Sequence, residues 1–392
     1  MKVLHVIPAM AARYGGPTTA VLGMCRALMT AGTDVLIATT DADGSNRLAA
    51  PEGQLTTPEG VPAIVFRRRA SESFKWSPAL ARWLRAHVPE FDLVHVHAVF
   101  SHSSLAAGRA CRRARVPYVV RPLGTLDPWS LEQHAWRKKA LLATSARRLL
   151  GGATAIHYTS AEEQRLAESQ LPWLAPGIVI PLGIDDEQFA DADRAPVERS
   201  AVVLALGRLH PKKGIDLLIE AFHALAAMEP LQAWRLRIGG DGPAACVAAL
   251  ERLASAGPAS DRIEFLGWVD RPRRAELLRS SSLFVLPSHQ ENFGIALVEA
   301  MGAGVPAIVT PGVNIATDIA SAGAGWVTER TTPGLTQSLR VAMSDRRALA
   351  ERGRAARRYA ERFRWSVVAG QLRSGYERVV NTASLSGAAA GR

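Results

Sequence analysis

What most constrains this chain is a regular alternation of short β-rich runs with longer amphipathic helical patterns, sustained from residue 2 to residue 328. A strand followed by a helix that returns the chain to the next strand builds a parallel sheet covered by helices. Runs at 2–7, 33–39, 62–66, 92–97, 117–121, 154–158 and 177–181 read as the strands of one such sheet, with helical patterns at 17–30, 76–88, 101–115, 130–150 and 160–169. A second series of strands reads at 201–206, 234–239, 262–266, 283–286, 306–309 and 325–328. Between the series, Pro181-Leu182-Gly183-Ile184-Asp185-Asp186 and the polar stretch to Ser200 carry acids, Pro196 and no periodicity, and read as a linker. The expected fold is α/β, with two doubly wound Rossmann-like domains facing a cleft and ligands at the carboxyl ends of the strands. A length of 392 residues agrees, because single hydrophobic cores stop growing well before that size.

Charge narrows the partners. Between residues 65 and 150 sixteen Lys and Arg face five acids, an excess of eleven that equals the net charge of the whole chain. Such a local excess fits an anionic partner (a membrane surface, a phosphorylated substrate or nucleic acid) or a solvated basic surface. Cys25, Cys111 and Cys246 are far apart and lack metal-ligand spacing, so each is expected to be a small buried apolar residue in a reducing compartment. The opening Met1–Pro8 run is too short and too promptly followed by a Gly-rich turn to read as a signal peptide. With no uninterrupted apolar run of membrane-spanning length, the expectation is a cytoplasmic protein, attached if at all to the inner face of the cell membrane.

The chemistry concentrates in the second half. Gly207-Arg208-Leu209-His210-Pro211-Lys212-Lys213-Gly214 joins a strand to a helix, where backbone N–H groups, a positive helix end and the cations of Arg208 and Lys213 would hold a diphosphate. An ordinary basic loop reads the same way. Gly239-Gly240-Asp241-Gly242-Pro243 follows the next strand and permits close backbone approach to a ligand, or forms a plain turn; it lacks the dinucleotide G-x-G-x-x-G spacing. In Pro287-Ser288-His289-Gln290-Glu291-Asn292-Phe293-Gly294, Glu291 lies in a loop and Gly294 opens a helix bearing Glu299. Two carboxylates then reach one place, suited to pairs of hydroxyls on a sugar or ribose. The N–H groups of Asn292, Phe293 and Gly294 stand near the helix start.

Four of these elements in series resemble the retaining glycosyltransferases of family 4, which have the GT-B fold. They are Gly-Arg-x4-Lys-Gly at 207–214, Gly-Asp-Gly-Pro at 240–243, Phe-Leu-Gly-Trp-Val at 265–269 and Glu-x7-Glu at 291–299. The first half is similar more loosely, through Gly15-Gly16 and the strand end His95-Val96-His97. The resemblance implies roles. Arg208 and Lys213 would hold the donor diphosphate and neutralise the leaving phosphate. Glu291 would grip donor-sugar hydroxyls and Glu299 the ribose. Gly240 and the backbone of Asn292, Phe293 and Gly294 would meet sugar and diphosphate, with Val269 beside the base. Gly16 would approach the phosphates and His97 the transferred sugar, while His95 reads as core. The donor would be a UDP- or GDP-sugar, with no cofactor and no metal. Domains would span 1–185 for acceptor and 186–364 for donor, with 365–381 a helix returning to the first domain and 382–392 a flexible tail. Many relatives have Gly where this chain has Asn292, a residue that tolerates positive φ.

The acceptor side is expected to be a glycan or a lipid-diphosphate-linked sugar of bacterial surface polysaccharide. Arg121-Pro122-Leu123-Gly124-Thr125-Leu126-Asp127 resembles a segment of exopolysaccharide and lipopolysaccharide enzymes; Arg121 would pair an acceptor phosphate and Asp127 a hydroxyl, unless the segment is a structural turn. Trp76, Trp83 and Trp136 beside Lys and Arg suit an anionic membrane face or packing against the sheet. Asp41-Ala42-Asp43 has a D-x-D form used elsewhere for divalent ions, and here reads as a solvated turn. No nucleic-acid reader motif occurs, so nucleic acid is not an expected partner. An epimerase or hydrolase of nucleotide sugars on the same fold is the nearest alternative.

Overall fold

The computed structural model describes the chain apart from residues 71, 134, 194–198, 230, 391 and 392. It divides into two compact units, Met1–Gly183 with Trp365–Arg392, and Ile184–Arg364.

The first unit is built on β1 (Lys2–Val6), β2 (Asp34–Thr40), β5 (Leu55–Thr56), β6 (Ala63–Phe66), β7 (Leu93–His97), β8 (Tyr118–Arg121), β9 (Ala155–Tyr158) and β10 (Gly177–Val179), with β3 (Ala42–Asp43) and β4 (Asn46–Arg47) forming a separate hairpin. The sheet order is β10-β9-β8-β7-β1-β2-β6-β5. Every pairing is parallel except that of β5 with β6 at the edge. All five residues of β7 are buried, as a central strand covered on both faces requires. Leu80 and Leu84 of the helix Pro78–His87, whose N-cap Ser77 accepts from the Leu80 N–H, fill one side of its core.

Four local expectations are corrected. The single helix read over 130–150 is three short ones, Pro128–Glu132, Ala135–Ala143 and Ser145–Gly151, the last break falling at Thr144 in a non-helical conformation. Asp41 is no solvated residue: it is 4% exposed, its Oδ1 accepts from the Arg68 N–H at 2.7 Å, and Arg47 pairs with it at 3.6 Å. Much of the stretch read as linker is packed onto the second unit. Ile184 and Phe189 are buried, and the Ile184 N–H donates to the Phe363 carbonyl at 2.7 Å; Pro196 lies outside the described residues. The final helix runs from Trp365 to Ala390 rather than ending before a loose tail. The tail is alanine-rich and free of proline, so nothing in it stops a helix already started. Trp365 seats this helix on the first unit, because Cβ atoms at Gly183 and Gly23 would lie 2.2 and 2.6 Å from its indole.

The second unit is a six-stranded, wholly parallel sheet. Its strands are β11 (Ser200–Leu206), β12 (Arg235–Gly239), β13 (Ile263–Gly267), β14 (Ser281–Leu286), β15 (Ala307–Val309) and β16 (Gly325–Val327), in the order β13-β12-β11-β14-β15-β16. The order reverses between β11 and β14. Loops leaving these two central strands therefore diverge to opposite sides and open a crevice at their carboxyl ends.

Candidate functional site

The second unit gathers its motif residues at those carboxyl ends. Arg208 leaves β11 exposed, and Lys213 lies in the short turn Pro211–Lys213 before the helix Ile215–Ala224. Lys213 Nζ forms an ion pair with Glu291 Oε2, from the loop after β14, with both side chains four-fifths buried. Glycines make this convergence possible. A Cβ at Gly240 would lie 1.8 Å from the Gly207 carbonyl oxygen, and one at Gly214 (φ 67°) 2.3 Å from that of Pro287. No other residue lets the three loops approach so closely. Pairing with the segment after β15 fixes Glu291: its N–H donates to the Gly312 carbonyl at 2.8 Å, and its carbonyl accepts from the Asn314 N–H at 3.0 Å. The cavity enclosed by Gly207, Arg208, Lys213, Gly239 and Leu286 is only about 10 Å³.

Gly294 (φ 77°) caps the helix Ile295–Gly302 and supplies the left-handed residue of that turn. The departure at Asn292 thus needs no positive φ there, and the Asn314 side-chain amide reaches Asn292 Oδ1 at 3.4 Å. Phe293 is buried edge-on against Phe363. Glu299 is 4% exposed, with Arg274 Nε 3.3 Å from its Oε2, although that oxygen accepts no hydrogen bond. Burial pushes its carboxyl above the ordinary carboxylate range, against the pull of Arg274 and a Gln188 hydrogen bond. A buried carboxylate with an oxygen that accepts no hydrogen bond is suited to receive hydroxyl donors. Val269 packs at the end of β12, where a Cβ on Gly239 would lie 2.8 Å from it, and Trp268 beside it is 66% exposed. Sequence reasoning missed Arg274 and the strap Gly312–Asn314. The signal for the first was a basic run, Arg271-Pro272-Arg273-Arg274, behind the N-cap Asp270; the strap has no local signal.

The first unit treats its candidates differently. Gly16 opens the helix Gly16–Thr30, but the positive φ belongs to Gly15 (63°). His97, expected near a sugar, is fully buried and stacked on His5 at 5.3 Å, with its Nε2 3.0 Å from His5 Nδ1. Arg121, expected to pair an acceptor phosphate, is 2% exposed, and its Nε and Nη1 have no partner. Asp127 is 3% exposed and caps the helix Pro128–Glu132, each carboxylate oxygen accepting from Ser130. None of these three side chains is exposed: β7 and β8 carry His97 and Arg121 into a covered layer, and Asp127 is turned onto the helix it caps.

That layer is a polar core with defined tautomers. His157 Nε2 faces only the Ile180 carbonyl at 2.7 Å, so this nitrogen carries the proton. Its Nδ1 then accepts from His95 Nε2 at 3.2 Å, and His95 Nδ1 accepts from the Tyr376 hydroxyl at 2.7 Å. Burial first, then the Arg121 charge, lowers the His5 and His157 pKa values to about 3. His95 and His97 are lowered as well, again mainly by burial. His5, His95 and His97 form the one cluster among the described residues whose ligand atoms could surround a metal ion. The set does not suit a cation: both His95 nitrogens are engaged, and the Arg121 charge lies close by. Cys25 and Cys111 are buried and Cys246 half-buried, all as free thiols.

Known proteins resemble both units. Residues 186–359 match the family described as glycosyl transferases group 1, and residues 15–183 match a glycosyl transferase 4-like domain. A mannosylfructose-phosphate synthase of Agrobacterium fabrum is 38% identical over 145 residues, covering 34% of this chain and 32% of that protein. A D-inositol 3-phosphate glycosyltransferase of Geodermatophilus obscurus is 29% identical over 321 residues, covering 78% and 65%. The chain thus spans between a third and two thirds of the length of these relatives. Anabaena HepE, solved in complex with UDP and glucose, superposes with a TM-score of 0.72 at 21% identity over 96% of this chain and all of that one. No helix among the described residues is long and apolar enough to cross a membrane.

Proposed function

We propose that the chain is a group 1 glycosyltransferase with the GT-B fold, which moves a sugar from a UDP- or GDP-sugar to a glycan or lipid-diphosphate-linked acceptor in surface polysaccharide synthesis. The observation that carries this reading is the ion pair of Lys213 with Glu291 across the carboxyl ends of β11 and β14, with Arg208 lining the same small cavity as Lys213. The donor diphosphate displaces Glu291 from Lys213. Lys213 and Arg208 then meet the phosphate, while the released Glu291 carboxylate takes sugar hydroxyls. Glu299 takes the ribose through Oε2, which faces Arg274 but accepts no hydrogen bond.

Transfer proceeds with retention of configuration. The acceptor oxygen bonds to the anomeric carbon on the face from which the phosphate departs, the carbon–oxygen bond to the phosphate breaks, and the acceptor proton passes to the leaving phosphate. Negative charge grows on the diphosphate as that bond breaks, and two fixed cations stabilise it there most. They supply the charge a divalent ion would otherwise bring, so the reaction is metal-independent. Bound UDP and glucose in HepE, and the phosphate esters named in both curated relatives, support nucleotide-sugar donors and phosphate-bearing reactants. The site of action is the cytoplasm or the inner membrane face.

The test is calorimetric titration with UDP- and GDP-sugars in EDTA. Micromolar binding of one class, lost in Lys213→Ala, is expected. Absence of binding to either class, or binding that survives Lys213→Ala, refutes the donor assignment.

A further inference from the structure

On the first unit, away from the strand carboxyl ends, three arginines line an open pocket of about 680 Å³ together with Thr144, Trp173 and the pair Gly151-Gly152. Its place follows from the chain path. Arg112 ends the helix leading into β8, Gly151-Gly152 ends the helix leading into β9, and Trp173 precedes β10. The pocket therefore lies at the amino ends of these strands, and it includes none of the residues of the proposed reaction. We propose that it is a second ligand site, binding the phosphate group of an anionic molecule.

The arginines are arranged for a ligand rather than for each other. Arg112 Nη1 donates to the Arg148 carbonyl at 2.9 Å and approaches the Tyr118 hydroxyl at 3.3 Å, which fixes its guanidinium. Arg147 lies over the Trp173 ring at 4.7 Å. Arg26, Arg67, Arg68 and Arg165 of the same unit all pair with carboxylates. Among the described residues no carboxylate forms an ion pair with Arg112, Arg147 or Arg148. Three like charges held around one space repel each other, and an anion between them relieves that repulsion. Guanidinium forks match phosphate oxygens two at a time. The floor stays open because residue 152 is glycine: a Cβ there would sit 2.8 Å from the Arg148 carbonyl oxygen and 2.9 Å from Arg112 Cδ. One feature of the fold opposes an anion, since the helix Ser145–Gly151 points its carbonyl end at the pocket. That end carries about half a negative charge, and Arg112 already caps one of its carbonyls, so three full positive charges outweigh it.

The volume exceeds what a bare phosphate needs and falls within the ~300–1,000 Å³ usual for small-molecule sites. Two sources of phosphate fit. One is a soluble phosphate compound. The other is a phospholipid headgroup, because the helix just before the pocket exposes Trp136, Lys139, Ala140 and Ala143, and exposed Thr144, Arg147 and Arg148 follow directly.

The test uses the full chain in a Lys213→Ala background, so that phosphate heats do not arise at the donor site. Pyrophosphate is titrated calorimetrically into this protein and into one that also carries Arg147→Ala and Arg148→Ala. Both arginines are exposed, and circular dichroism checks that the fold is kept. Saturable binding is expected, weakened about tenfold or more by the double substitution. The indole N–H resonance of Trp173, assigned with Trp173→Phe, is expected to move with the same dependence. No saturable binding, or equal binding by the double variant, overturns the proposal. Flotation with phosphatidylcholine vesicles with and without phosphatidylglycerol then identifies the source. Capture only by the anionic vesicles, lost in the double variant, identifies a lipid headgroup; pyrophosphate binding without capture identifies a soluble phosphate.

Discussion

Acid should loosen the first unit before the second, through its buried histidines. His5 and His157 have folded-state pKa values of about 3 against an ordinary 6.5, because burial and the Arg121 charge disfavour their charged forms. A proton therefore prefers the unfolded chain. Stability from this source is complete above pH 6.5 and is lost as the pH falls from 6.5 towards 3. At pH 5 an unfolded histidine is stabilised by protonation by about 2 kcal/mol, while the folded one stays neutral. The two residues together remove about 4 kcal/mol, and His95 and His97 act in the same direction. That is a large share of the ~5–15 kcal/mol that holds a domain folded. Hydrogen exchange read by mass spectrometry at pH 7.5 and pH 5, corrected for the intrinsic rate, separates the units. Peptides covering β1, β7 and β9 should lose protection at pH 5, while those covering β11, β12 and β14 serve as the control. In His157→Gln the amide still donates to the Ile180 carbonyl, and the acid loss should shrink by about 2 kcal/mol. Equal protection of β1, β7 and β9 at both pH values, or an acid loss unchanged in His157→Gln, would show that these imidazoles are not neutral and buried as described.

Other outcomes follow from single contacts. Gly240→Ala drives a methyl into the Gly207 carbonyl at a backbone φ of 143°; differential scanning calorimetry should show a loss of roughly 2–4 kcal/mol, and calorimetric titration should show weakened donor binding. Asp127→Ala removes an N-cap and should cost about 1 kcal/mol in chemical denaturation, with donor affinity unchanged. Glu299→Gln should weaken nucleotide-sugar binding at neutral pH. Because the folded Glu299 carboxyl is raised, wild-type affinity should fall with acidification starting above the ordinary glutamate range, and the Gln variant should lack that component of the pH profile.

Most sheet strands were legible because parallel sheets bury both faces and gather apolar residues in short runs, as Ser281–Leu286 and Leu93–His97 do with every residue buried. The short β3–β4 hairpin and β5 escaped notice, since two-residue pairings have no period to detect. The grouping of motif residues in the second unit was legible for a different reason. Its residues sit in loops directly after strands, so their order along the chain predicts their gathering at the carboxyl ends. The same logic does not serve Arg121 and Asp127 in the first unit. Arg121 also ends a strand, yet only the packed surroundings show that its guanidinium is buried, and only the helix start at Pro128 shows Asp127 to be a cap.

The chain by itself determined the two αβ series, the glycines that admit close loops and the cations and carboxylates that follow β11 and β14. These depend on local spacing and on conformations that single residue types permit. Tertiary structure alone decided that Lys213 meets Glu291 across 78 residues, that Tyr376 orients His95 across 281 residues, and that three arginines face one pocket with no carboxylate among the described residues that line it. Each is a through-space outcome of strand order and helix packing. Burial and pairing, which set whether a charge is masked, neutral or available, belong to that level and leave no period in the sequence.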